Sequence, residues 1–95
     1  MTPLHVFARI TPKPSHYDDA REAICGILGR TREEKGCISF ELFENEAEGA
    51  LFLIEAWTDA AALEEHYAQP YTEQVFRQYE GWLARQPEIH KMQAV

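Results

Sequence analysis

Basic side chains are few in this sequence of 95 residues, and long apolar runs are absent. Nine lysine and arginine residues stand against sixteen aspartate and glutamate residues, so the formal net charge at pH 7 is −7. This charge disfavours nucleic-acid phosphates and anionic membrane surfaces, and we expect neither as a partner. No apolar stretch approaches the roughly 20 residues of a membrane-spanning helix, and the first residues lack the basic and apolar regions of a signal peptide. The sequence therefore predicts a cytoplasmic protein.

Motifs that bind metals or cofactors are also missing. The two cysteines, Cys25 and Cys37, form no CxxC pair. A disulfide between them is possible, but two free thiols agree better with a reducing compartment. Three of the four histidines, His5, His16 and His90, fall on separate predicted elements, which disfavours a histidine-based metal site. No glycine-rich phosphate loop or dinucleotide fingerprint occurs. We therefore expect no metal and no cofactor.

The hydrophobic content is 45%, with 12% aromatic residues, and it indicates one globular domain over residues 1–95. Period-two alternation of apolar residues predicts strands, and spacings of three and four predict helices. The predicted elements are a strand at 4–10, a helix at 17–34, strands at 37–44 and 50–58, helices at 60–68 and between 70 and 87, and a strand at 88–94. The 50–58 strand is almost wholly apolar, which is typical of a central strand.

Local signals predict where these elements begin and end. Ser15 and Asp59 precede helical patterns and are predicted N-caps. Gly36 is predicted to end the first helix in the left-handed conformation. Pro70 interrupts the second helix and suits the first turn of the next one. The polar segment 45–49 is predicted to join two strands as a hairpin.

The order β-α-β-β-α-β, with a broken second helix, predicts an α+β fold of the ferredoxin-like type. In this fold a four-stranded antiparallel sheet carries its helices on one face. The other face is then uncovered, and apolar residues are predicted to lie on it: Ile38, Phe40, Leu42, Phe52 and Ile54. Because a large exposed apolar surface is unusual in a monomer, we expect a homodimer in which two sheets pack together.

The join between the third strand and the next helix carries the candidate site. Glu55 and Trp57 are two residues apart on a strand and therefore point to the same face. Burial among apolar neighbours would raise the pKa of the Glu55 carboxyl group. His66 lies about two turns into the next helix, where the chain doubles back toward Glu55. A Glu–His pair is suited to proton transfer at neutral pH; alternatively, Glu55 only braces the strand–helix corner.

Four further residues are candidates for substrate contacts. The Ser39 hydroxyl would reach a substrate oxygen if its face of the sheet is the one that the helices cover. Phe7, Tyr71 and Phe76 are candidate aromatic walls of a pocket. For each of these residues, ordinary packing or surface exposure is the alternative interpretation.

Four short motifs together resemble the antibiotic biosynthesis monooxygenase (ABM) family. They are Val6-x-Ala8-x-Ile10-x-x-Lys13-Pro14, Glu34-Lys35-Gly36-Cys37-Ile38-Ser39-Phe40, Glu55-Ala56-Trp57 and Ala62-Leu63-x-x-His66. Their order and spacing extend the resemblance over nearly the whole chain. The resemblance implies a dimeric α+β barrel with a pocket between sheet and helices in each subunit. Members include cofactor-independent monooxygenases, haem-degrading enzymes and an isomerase, so the family alone leaves the reaction open.

The resemblance is to the quinol-monooxygenase-like branch, because the first strand has no Asn of the kind that the haem-degrading members carry. It implies oxidation of a phenolic, quinol or anthrone-type aromatic by O₂ without a cofactor. In this hypothesis His66 accepts the substrate proton and Glu55 orients it. Trp57 and Phe76 stack on the ring, and Ser39 or Tyr71 holds an oxygen. Two alternatives remain: an isomerase or other proton-transfer enzyme acting on a small ketone, and a non-enzymatic dimer that binds a hydrophobic metabolite or responds to stress.

Overall fold

The computed structural model describes residues 2–95 and confirms the predicted α+β fold of the ferredoxin-like type. Its elements are β1 (Leu4–Ile10), α1 (Tyr17–Cys25), α2 (Leu28–Arg32), β2 (Cys37–Asn45), β3 (Ala50–Trp57), α3 (Ala60–Tyr67), α4 (Pro70–Trp82) and β4 (Glu88–Met92). The strands form one antiparallel sheet in the order β2-β3-β1-β4. The predicted central position of β3 is therefore confirmed, and β2 and β3 form the predicted hairpin.

Side-chain alternation along β1 and β3 separates the two faces of the sheet. The buried inward residues of β1 are Leu4, Val6, Ala8 and Ile10. The helices cover this face and complete the core with Ala20, Ile24, Ile27, Leu63, Val75 and Tyr79. Burying a Leu, Ile or Val side chain stabilises a fold by about 1.5–3 kcal/mol, so this one-sided core supplies most of the stabilisation. Among residues 2–95, no helix combines the length and apolar composition needed to span a bilayer.

The first helix is interrupted, so the prediction of one helix over 17–34 is wrong. α1 ends at Cys25 and α2 begins at Leu28. Between them the Ile27 amide donates to the Ile24 carbonyl oxygen at 3.1 Å, three residues back rather than four. Gly26 lies at this break, and glycine costs about 1 kcal/mol relative to Ala inside a helix. Because both segments keep apolar spacings of three and four, periodicity alone did not reveal the break.

Two predicted end signals are confirmed and two are wrong. Asp59 Oδ1 accepts a hydrogen bond from the Ala62 amide at 2.8 Å, and Pro70 is the first residue of α4. Ser15 lies in a short 3₁₀ turn, and no side chain caps α1. Gly36 has no positive φ angle. Glycine is needed there for another reason, because a Cβ atom at residue 36 would overlap the Cβ atom of Ala62.

The prediction that Phe40 and Leu42 lie on the uncovered face is wrong. Both pair with inward-facing residues of β3, and Phe40 is buried beneath the helices. A β-bulge between Cys37 and Ser39 shifts the register of β2 by one residue. Such a bulge changes which later side chains face inward. The period-two pattern of β2 did not reveal it.

Phe52 and Ile54 do lie on the uncovered face, as predicted. We call this side of the sheet the open face. Its exposed or half-exposed apolar residues are Phe7, Phe43, Phe52, Ile54 and Met92. Phe43 is 52% exposed and Ile54 is 49% exposed, so the sheet presents large apolar side chains to solvent.

Candidate functional site

Glu55 and Trp57 lie side by side on the helix-covered face of β3, which confirms the shared face predicted from their spacing. Trp57 is fully buried, and Glu55 is 5% exposed. The Trp57 indole Nε1 donates a hydrogen bond to Glu55 Oε1 at 2.9 Å. The carboxyl group is thus held by a neighbouring side chain on its own strand rather than by the backbone of the following helix.

Burial changes the acid–base properties of Glu55. It raises the pKa of the Glu55 carboxyl group to about 7; the Trp57 hydrogen bond lowers this pKa, and the charge of Glu34 raises it. Burial also raises the pKa of Tyr67 to about 12, and the charge of Glu55 adds to this effect. The pKa of Tyr79 is raised by the same two causes. Near neutral pH, Glu55 can therefore exchange a proton, whereas both phenols stay protonated.

His66, in the last turn of α3, is held by a carboxylate that sequence reasoning did not pair with it. Its Nδ1 lies 2.9 Å from Glu34 Oε2, and the Tyr71 hydroxyl donates to the same oxygen at 2.5 Å. A carboxylate oxygen accepts hydrogen bonds, so a neutral imidazole that donates to Glu34 from Nδ1 has its lone pair on Nε2. Within residues 2–95, the side-chain hydrogen bond of His66 is made through Nδ1 and not through Nε2. The ring packs against Trp57 and Phe40, at centroid distances of 4.8 and 5.5 Å.

The α2–β2 loop packs closely on α3 and brings Glu34 to His66. The Gly36 carbonyl oxygen accepts a hydrogen bond from the Thr58 amide at 2.9 Å, and Gly36 lies against Ala62. Glu34 and His66 are 32 residues apart, so no local pattern links them. The one available signal was Gly36 itself, because a glycine without a turn to form often marks a close approach of two segments.

Glu55 was expected to orient His66, but the structure gives the two residues different hydrogen-bond partners. The partner is Trp57 for Glu55 and Glu34 for His66. Glu34 therefore takes the orienting role that the sequence interpretation gave to Glu55. Glu55 and His66 nevertheless line the same cavity.

This cavity lies between the sheet and the helices and has a volume of about 30 Å³. Besides Glu55 and His66, its lining includes Thr72 and the predicted aromatic residue Phe76, both from α4. Thr72 is 2% exposed, and its hydroxyl group has no hydrogen-bond partner within residues 2–95. One water molecule needs at least about 10–15 Å³ of such a cavity, so this space holds one or two water molecules. A cavity that binds a benzene ring is several times larger, about 150 Å³.

A second, shallower space adjoins the cavity at the protein surface. This outer groove has a volume of about 460 Å³ and includes Glu73 and Arg77 of α4 in its lining. The cavity and the groove share three lining residues, Tyr67, Phe76 and Ile89. These three side chains border both spaces, and the rings of Tyr67 and Phe76 meet edge to face at a centroid distance of 5.7 Å.

The structure does not bring every predicted site residue to this cavity. Ser39 is exposed and pairs with Ala56, so it lies on the open face. Phe7 pairs with Ile54 on the same face. Tyr71 reaches His66 only through Glu34. Period-two alternation places residues on one of two faces, but it does not say which face the helices cover.

No metal-ligand cluster is formed by the residues that the structure describes. Among residues 2–95, no group of three or more His, Cys, Asp or Glu side chains is arranged to hold a metal ion. Cys25 and Cys37 are both free thiols. Burial and the charge of Glu34 raise the pKa of the Cys37 thiol, which disfavours its reactive thiolate form.

Comparisons with known proteins agree with this architecture. The model of the antibiotic biosynthesis monooxygenase family matches residues 3–78. The protein Rv0793 of Mycobacterium tuberculosis is 34% identical over 70 residues, which cover 74% of this chain and 69% of that protein. The structure of Rv0793 superposes with a TM-score of 0.93 at 29% identity, covering 99% of this chain and 96% of the other. The structure of PA3566 from Pseudomonas aeruginosa gives a TM-score of 0.92 at 27% identity, with 100% and 96% coverage.

The fold and the buried site thus define a small α+β protein with a ferredoxin-like sheet and one cavity beside an acid and a histidine. The family match extends over most of the chain, and the relatives share its architecture from end to end. The chain belongs to the antibiotic biosynthesis monooxygenase family.

Proposed function

We propose that this protein is a cofactor-independent monooxygenase that oxidises a phenolic, quinol or anthrone-type aromatic with O₂. The observation that carries the proposal is the position of His66. Its Nδ1 contacts Glu34, and its ring lines the cavity, so Nε2 is the nitrogen left to meet a substrate. A histidine oriented in this way is suited to accept a proton from a phenol. The family to which the chain belongs supports this reaction class. The expected cytoplasmic location stays a prediction.

The reaction needs no redox group from the protein, because the substrate supplies all the electrons. His66 Nε2 removes the phenol proton, and the electron-rich ring carbon then bonds to one oxygen atom of O₂. Protonation of the distal oxygen, loss of the ring hydrogen and cleavage of the O–O bond leave a quinone and release one water molecule. Glu55, with its pKa raised to about 7, can supply a proton near neutral pH. The apolar walls keep bulk water from the substrate anion.

Replacement of His66 tests the proposal. With 1-naphthol or 1,4-naphthalenediol as the substrate, His66→Gln should lower the rate of O₂ uptake by about 10²–10⁴-fold, because the general base is lost. Glu34→Gln should lower the rate of O₂ uptake less than His66→Gln, because the amide oxygen can still accept a hydrogen bond from His66. It should also shift the pH–rate profile, because the variant lacks the charge that stabilises a protonated imidazole. His16→Ala is the matched control, because His16 lies at the surface and pairs with Asp19. A His66→Gln protein that folds and keeps the wild-type rate would refute the role.

A proton-transfer enzyme acting on a small ketone is the second candidate. The small volume of the cavity favours it, because about 30 Å³ admits one small polar group more easily than a ring. Glu55 and His66 would then move protons between adjacent carbon and oxygen atoms of the substrate. Conversion without O₂ consumption would support this candidate. A ligand that raises the melting temperature without being converted would instead support the non-enzymatic binding role.

We also propose that two copies of the chain pack through their open faces. The exposed Phe43 and Ile54 side chains lie on neighbouring strands of this face, and contiguous apolar surface of this kind marks protein–protein interfaces. A twofold arrangement would place the same surface of each copy against the other. The cavity lies on the opposite side of the sheet, so the dimer would leave it accessible from the outer groove.

A further inference from the structure

We infer that the cavity is a binding site for a single oxygen atom, in which the Thr72 hydroxyl donates a hydrogen bond to the substrate oxygen that His66 deprotonates. This inference rests on the proposed function and assigns a substrate contact within that same site. The aromatic ring would remain outside the cavity, in the outer groove.

The sizes of the two spaces support this inference. The cavity of about 30 Å³ has room for a hydroxyl group or one or two water molecules, and the outer groove of about 460 Å³ is large enough for a bicyclic aromatic. A phenolic oxygen would enter the cavity past Phe76, which borders both spaces. The substrate ring would then contact Tyr67 and Phe76, whose edge-to-face geometry is a common way for aromatic rings to pack.

The polar groups that line the cavity also support an oxygen-binding site. Thr72 is 2% exposed, and its hydroxyl group has no partner within residues 2–95. A buried hydroxyl group without a partner is costly, so such groups usually bind an ordered water molecule or a ligand. Glu55 and His66 line the same small space and, like Thr72, are nearly fully buried. Three nearly buried polar residues therefore line one small space, and each has an atom that can bind a substrate oxygen.

The proposed proton transfer is favoured by a hydrogen-bond donor at this position. When His66 Nε2 takes the proton, negative charge develops on the substrate oxygen, and a fixed donor lowers the energy of that anion. Thr72 supplies a neutral O–H donor from the first turn of α4, a position set by the main chain rather than by a mobile loop. Glu55 in its protonated form would be a second donor. In the ligand-free protein, we expect one water molecule in place of the substrate oxygen.

Thr31 provides a matched control for the experiment. It is fully buried in the neighbouring helix α2, and its hydroxyl group also lacks a partner within residues 2–95, but it does not line the cavity. Thr72→Val and Thr31→Val each replace a buried hydroxyl group by a methyl group of similar size. The melting temperatures of the two ligand-free variants show whether both are folded, so that a loss of binding or turnover is not mistaken for a loss of structure.

The two variants should differ in binding and turnover. We expect Thr72→Val to weaken 1-naphthol binding, measured by fluorescence titration, and to lower kcat/KM for O₂ uptake, each by about tenfold or more. Thr31→Val should match the wild type in both measurements. Thr72→Ser keeps the hydroxyl group and should stay within about threefold of the wild type.

The outcomes separate this inference from the proposed function. If the wild type oxidises 1-naphthol and Thr72→Val behaves like Thr31→Val, the oxygen site is refuted and the monooxygenase proposal stands. If the wild type consumes no O₂ but binds 1-naphthol in a Thr72-dependent manner, the site stands and the monooxygenase proposal fails. If the wild type neither binds nor oxidises 1-naphthol and 1,4-naphthalenediol, both are overturned.

Discussion

Replacement of the buried acid, Glu55→Gln, should change how stability depends on pH. The pKa of Glu55 is raised to about 7 in the folded protein, from 4.5 in the unfolded chain, chiefly by burial. The folded state therefore holds the proton more tightly, and stability should fall as pH rises from about 4.5 to about 7. The glutamine variant keeps an oxygen that can accept the Trp57 hydrogen bond but has no proton to lose. It should lack this fall.

The size of the effect follows from the two pKa values. Each unit of difference corresponds to about 1.36 kcal/mol, so a carboxyl group moved from 4.5 to about 7 loses about 3 kcal/mol of stability in full. Most of this loss, about 2–3 kcal/mol, falls between pH 5 and pH 8. Relative to the wild type, Glu55→Gln should therefore gain about 2–3 kcal/mol over that interval. Groups that titrate in both proteins cancel from the difference.

Urea denaturation at pH 5, 6, 7 and 8 measures this difference. The free energy of unfolding should be compared between wild type and Glu55→Gln at one protein concentration, because self-association would add to the apparent stability. Glu64→Gln, on the exposed side of α3, is the control and should give a nearly constant difference from the wild type. If the Glu55→Gln difference also stays constant to within about 0.5 kcal/mol, burial does not control the protonation of Glu55, and the reasoning fails.

Two further predictions concern packing. Gly36→Ala should lower the free energy of unfolding by about 1–3 kcal/mol, because the added Cβ atom would overlap Ala62. Gly29→Ala should raise the free energy of unfolding by about 0.5–1 kcal/mol, because the space around residue 29 is open. Urea denaturation checks both, and equal effects would contradict the close approach. Ile54→Glu on the open face should yield a monomer in sedimentation velocity, whereas Glu65→Gln on α3 should leave the assembly unchanged; a stable dimer of Ile54→Glu would argue against that interface.

Sequence reasoning reached the residues whose positions depend on local geometry. The two-residue spacing of Glu55 and Trp57 puts them on one face of any strand, and Asp59 caps the helix that carries His66. These features depend on repeats of two or of 3.6 residues, which hold wherever the strand or helix lies. The central position of β3 and its hairpin with β2 also followed from the order of the elements and their apolar content.

Sequence reasoning did not reach the partners of those residues. Glu34 binds His66 across 32 positions of the chain, because the Gly36 backbone packs against α3. Thr72 looked like an ordinary helical residue, and only its burial without a hydrogen-bond partner made it a candidate. Both contacts depend on how separate elements dock, and no local repeat encodes that.

The two faces of the sheet show the same difference between what local patterns predict and what long-range packing decides. Alternation grouped Ser39 with other residues of β2, but the bulge after Cys37 and the packing of the helices decided that Ser39 faces away from the cavity and Phe40 faces toward it. Local sequence patterns were therefore sufficient to predict the four strands, the order of the elements and the join at Glu55, Trp57 and His66, but not the break between α1 and α2. The tertiary structure decided which face the helices cover and which groups surround the cavity, because these depend on contacts between segments distant in the chain.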